Sequence, residues 1–257
     1  MRNHPRFGKH LQTQQTDRIA GWNPEWIAST DTSGWCMLLI AIANLDSVHQ
    51  DAAVEQAMLR CHYRLVAILR GMGSGPLVER ESEQVVVGRL ITHYLMHADV
   101  DDRDRLVIAT RFGCKPFARS VCRRILNDPA RSASAATIAL MTASAIGMPD
   151  EEINGWLARS RNDHRVSHVW RSGVADDIAY QVQVRDVAWA LHLHRHGIDP
   201  RDRGFAALVA DPVLVFRAYS LGFKTDAERQ SSHDGWNEVS RKPHGRRNIS
   251  SLLSPGG

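Results

Sequence analysis

Between Gln181 and Gly197 the chain reads QVQVRDVAWALHLHRHG, and that spacing admits few folds. At 3.6 residues per turn, Val184, Val187, Ala188 and Leu191 fall on one stripe. Arg185, His192 and His196 share another side, with Trp189 beside them. Gly197 supplies the stop, because a residue without a Cβ takes the left-handed turn that ends a helix. Asp199-Pro200 restarts the chain: Asp caps, and Pro suits a first turn whose N–H groups lack partners. The stretch is predicted to be one member of a packed helix hairpin.

An earlier stretch has the same plan. From Ala130 to Gly147 the chain reads ARSASAATIALMTASAIG, here following Asp128-Pro129 and again closed by Gly. Further helices are predicted at Trp35–Leu45, Asp51–Gly71, Ser82–His97, Arg103–Phe112 and Phe117–Asn127, and from Asp150. Asp211-Pro212 is read as the start of another, Val213–Leu221. Thr225 and Glu228 have capping-box spacing and open a last helix that runs through Trp236 to Val239. The total is about ten helices, with at most one small hairpin between 164 and 182.

The segments LNDPARSASAATIALMTASAIG and VQVRDVAWALHLHRHG resemble second helices of HEAT-type repeats. Residues 115–223 resemble the carboxyl-terminal part of uncharacterised bacterial HEAT-like proteins. There a V-R-D-V-A helix precedes an Asp-Pro turn and a Gly-Phe, here Val184 to Ala188, Asp199-Pro200 and Gly204-Phe205. The resemblance implies an all-α fold of stacked antiparallel helix pairs, a HEAT-like α-solenoid or an irregular helical bundle. It assigns no chemistry to any residue. The expected organisation is an irregular arm over 1–30, one helical-repeat domain over 31–240 with an insertion at 164–180, and a flexible basic tail over 241–257.

The formal charge of +4 and the pI near 9.1 raise the question of nucleic acid. The excess, however, lies at the ends. Arg2, Arg6, Lys9 and Arg18 outnumber Asp17 in the first twenty residues, and Arg241, Lys242, Arg246 and Arg247 fill the tail, leaving a slightly acidic middle. Cys36, Cys61, Cys114 and Cys122 have neither disulfide-framework nor zinc-finger spacing. The first thirty residues lack the apolar run of a signal peptide, and Trp35 to Ala43 is too short to span a bilayer. A soluble cytoplasmic protein is expected.

Most candidate chemistry gives way to a plainer reading. Gly71 to Pro76 looks like a phosphate loop, yet it follows a helix and lacks a Lys-Ser/Thr end. Asp99, Asp101, Asp102 and Asp104 look like a calcium loop, but Arg103 takes a ligand position. Acids opening the helix at Arg103 suit its dipole instead. The pairs His93/His97 and His192/His196 have metal spacing, but no acidic or thiol ligand adjoins either. No cofactor and no metal are expected.

Two functions remain. The first is a non-catalytic scaffold that binds a protein partner on stacked helix pairs. The second is a nucleic-acid-binding or base-processing helical-repeat protein, which requires a continuous basic groove. The candidate partner-binding residues are Arg185, Trp189, His192 and His196, because Arg and Trp dominate binding hot spots. The competing expectation is structural, with Trp189 buried under the insertion and Arg185 paired to Asp176 or Asp177.

Overall fold

Helix starts and stops appear where local chemistry asks for them. A computed structural model describes residues 52–71, 81–171 and 179–240. The arm at 1–30, the helix expected at Trp35–Leu45 and the tail at 241–257 lie outside the described residues. The described residues are mostly helical, and the chain divides into two compact units, Met1–Phe117 and Ala118–Gly257; the helical-repeat domain expected at 31–240 spans both.

In the first unit, α1 (Ala52–Gly71) and α2 (Glu81–His97) both pack on α3 (Asp102–Arg111). Leu65, Leu69, Ile91, Tyr94, Leu95, Leu106 and Ile108 are buried and form this core. Asp101 caps α3 by accepting the Asp104 N–H at 2.8 Å. Asp104 itself is buried and pairs with Arg70 Nε at 3.1 Å. The acidic run is therefore a helix start and an ion pair.

His62 is buried between the Tyr94 hydroxyl (3.1 Å) and the Asp99 carbonyl (2.9 Å). Burial holds its pKa below the ordinary 6.5, against smaller upward pushes from Asp99. A depressed histidine pKa contributes stability that is present above the unfolded value and lost as pH falls toward the folded one. The urea midpoint of this unit should therefore drop between about pH 7.5 and about pH 5.5. A midpoint that rises on acidification would contradict the buried neutral imidazole.

In the second unit, α4 (Lys115–Asn127, which begins in the first) buries Val121, Cys122, Ile125 and Leu126. Ser132 caps α5 (Ala133–Ala145) through the Ala135 N–H at 3.1 Å. Every residue from Ala136 to Ala143 is buried, as expected of a helix that carries no charge on any side. Its neighbours include α6 (Asp150–Ser160), α7 (Val184–Arg195) and strand β1 (Val166–Arg171), which pairs with β2 (Ala179–Gln183). Three acids open α6 at the positive end of its dipole.

Three expectations fail after α7, the first being that at most one small hairpin occurs, between 164 and 182. Val213–Leu221 is not a helix. It belongs to a second hairpin, β3 (Ala210–Asp211) and β4 (Val215–Phe216), followed by a 3-10 turn at Ala218–Ser220. Asp211 does not cap a helix; its Oδ1 accepts the N–H groups of Val213 (2.8 Å) and Leu214 (3.0 Å) and closes a tight turn. The single helix expected from Thr225 to Val239 is two: α8 (Asp226–His233) and α9 (Trp236–Ser240). They break at Gly235, where a Cβ would stand 3.1 Å from Arg203 Nη1 and 3.7 Å from the Trp189 ring.

Candidate functional site

The helix α7 gathers the four residues singled out in the sequence, but it turns most of them inward. Trp189 has no exposed surface. Its indole N–H donates to Ser232 Oγ at 3.1 Å, and its ring lies 5.1 Å from Trp236 and 5.8 Å from His192. His192 is buried too, stacked on Trp236 at 4.7 Å and 5°, with Nε2 bonded to Ser240 Oγ at 3.2 Å. His196 is half-buried, 4.3 Å from the His192 ring, with Nδ1 against the His192 carbonyl. Trp189, His192 and His196 thus form one aromatic cluster, roofed by α8 and α9. Arg185 stands apart and donates from Nε to Gln183 Oε1 at 2.6 Å.

The burial of Trp189 removes it from any docking surface. It is interior, as the structural expectation held, but its cover is α8 and α9. Asp176 and Asp177, the expected partners of Arg185, lie outside the described residues. Among the described residues, no group of three or more His, Cys, Asp or Glu is placed to share a metal ion. Burial raises the pKa of Cys114 and pushes that of Cys122 up to about 12, so both thiols keep their protons near neutral pH.

The residue next to Arg185 carries the polar centre of the unit. Asp186 is fully buried, and its carboxylate accepts the Gln183 N–H at 2.8 Å and Arg229 Nε at 3.0 and 3.1 Å. His233 Nε2 lies 3.2 Å away. Arg229 is 2% exposed; it also donates to the Gln181 carbonyl at 2.9 Å, pairs with Asp226 and stacks over the Phe223 ring. Each Arg229 nitrogen and each Asp186 carboxylate oxygen therefore has at least one partner, the condition for a charge to sit in a core.

Above this centre lies a cleft of about 590 Å³, whose lining includes Tyr180, Asp202, Arg203, Gly204, Lys224 and Glu228. Its floor is fixed by a close backbone approach. Gln181 and Phe223 exchange both backbone bonds, and a Cβ on Gly222 would meet the Gln181 oxygen at 2.8 Å. Gly222→Ala should therefore cost about 1–3 kcal/mol, read as a lowered melting temperature; an unchanged value would mean the two segments are not in contact. Lys224 Nζ sits 5.4 Å over the Tyr180 ring, and Glu228 accepts the Lys224 and Thr225 N–H groups as the cap of α8. Ser232 Oγ donates to the Arg203 carbonyl at 2.5 Å while accepting from Trp189, so it is not poised as a nucleophile.

Sequence reasoning missed Asp186, Arg229 and the cleft. Asp186 was readable as an acid at the third helical position, where it caps its own helix. Nothing local announces that Arg229 docks on it. No family model, curated protein or solved structure matches this chain.

Proposed function

We propose that the chain is a non-catalytic protein-interaction module of helical-repeat type, and that its C-terminal unit receives a segment of a protein partner in the cleft beside Tyr180. The chemistry of that cleft carries the reading. Arg203, Lys224, Asp202 and Glu228 line the cleft together with Tyr180, and Lys224 lies over the Tyr180 ring. Opposite charges beside a tyrosine suit a polypeptide, which offers both signs and apolar carbon, better than a phosphate backbone, which offers one sign. The volume lies within the range of pockets that enclose a few side chains or a small ligand.

A groove for nucleic acid needs cations free to meet phosphate. In this unit Arg123 pairs with Glu152, Arg165 with Asp163 and Arg195 with Asp150, at 2.5–2.7 Å. These pairs weigh against the alternative of nucleic-acid binding or base processing. As to membranes, no helix among the described residues is long and apolar enough to cross one.

A photo-crosslinking side chain at Ser231, exposed on the rim of the cleft, tests the reading in native extract. It should capture a protein that the same group at Ser120, exposed on α4, does not. Lys224→Glu should weaken that capture by about tenfold without lowering the melting temperature. Equal capture at both positions, or steeply salt-dependent DNA binding that Lys224→Glu abolishes, would overturn it.

A further inference from the structure

We propose that β1 is a dimerisation edge, to which a second copy of this chain adds its own β1 antiparallel across a two-fold axis through Val169. Opposed residues of an antiparallel pair alternate: one pair exchanges both N–H···O bonds, the next exchanges none. Gln181 spends both backbone groups on Phe223, donating at 3.0 Å and accepting at 3.2 Å. Gln181 stands opposite Val169 in the β1–β2 register. Val169 therefore makes no ladder bond to β2, and its N–H and C=O point to the far side of β1. Among the described residues, no hydrogen bond reaches either group.

The side chains agree with an open edge. Val169 is 59% exposed and shares its sheet face with Gln181, while Trp170 and Tyr180 stack on the other face at 4.7 Å. Edge strands are normally blunted by a mid-strand charge, a proline or a bulge. Here the irregularity lies between Val166 and His168, and the register from His168 to Arg171 is regular. An unpaired edge with a bare β-branched residue at its centre is a template for another strand.

The strand is also its own complement. With the axis through Val169, that residue meets Val169 of the second copy and the two exchange both N–H···O bonds. His168 then faces Trp170, Ser167 faces Arg171, and no like charges are opposed. A pairing centred on an outward-pointing residue is the one an isologous strand dimer requires. This inference does not depend on what enters the cleft.

Sedimentation velocity of the full chain over a concentration series tests it. The wild type should move from monomer to dimer as concentration rises. Val169→Pro removes the outward N–H and no β1–β2 bond, and Val169→Lys opposes two charges across the axis. Both should stay monomeric, with far-ultraviolet spectra and melting temperatures like the wild type. Val169→Cys should be joined between copies by a short bifunctional thiol crosslinker, since facing residues of a hydrogen-bonded pair lie about 5.5 Å apart on one sheet face. Gln181→Cys, exposed on the neighbouring strand, should not. A wild type that stays monomeric throughout, or a Val169→Lys variant that dimerises as well as the wild type, would overturn the proposal.

Discussion

Asp186→Ala should destabilise the C-terminal unit by about 3–5 kcal/mol, a large share of the stability of an ordinary domain. The loss arises because three groups lose their acceptor together. Arg229 stays buried at 2% exposure without its carboxylate, the Gln183 N–H is stranded, and His233 loses its neighbour. Urea unfolding followed by tryptophan fluorescence reads this directly, since Trp189 and Trp236 lie in the same cluster. A loss below about 1 kcal/mol would mean that Arg229 is solvated, contrary to the structure. Asp186→Leu combined with Arg229→Met should recover part of the loss, because breaking a buried pair costs more than replacing both partners with apolar groups.

Trp189→Ala should cost about 3–5 kcal/mol by cavity formation and lost contact area. The ring touches His192, His233 and Trp236, so its removal loosens α8 and α9 together. Trp189→Phe keeps most of the volume and loses the bond to Ser232, for about 1–3 kcal/mol. If Trp189→Ala instead left the melting temperature unchanged and abolished only partner capture, Trp189 would be a surface anchor.

Much of the helical layout was legible because it is local. The stripe of α7, the Gly stops with left-handed φ at Gly147 and Gly197, and the serine cap of α5 are all written within a few residues. The site was not legible because its parts are distant. Arg229 meets Asp186 from 43 residues away, and the cleft is assembled from β2, the 3-10 turn at Pro200–Arg203, Gly222 to Lys224 and α8. Amphipathic spacing placed Trp189 on a flank of α7, correctly as geometry. It could not show that a helix broken at Gly235 folds back to cover that flank. The Val213–Leu221 segment misled for a related reason: Asp-Pro opens helices and turns alike, and the side chain of Asp211 chose the turn.

That α7 is the core of its unit and not its binding face is tested most directly by hydrogen exchange at the Trp189 indole. The Nε1–H is buried and bonded to Ser232, so its resonance, assigned by loss in Trp189→Phe, should outlast transfer to deuterated water by far longer than that of a solvent-exposed indole. Disappearance of that resonance as fast as an exposed indole would place Trp189 at the surface and contradict this account.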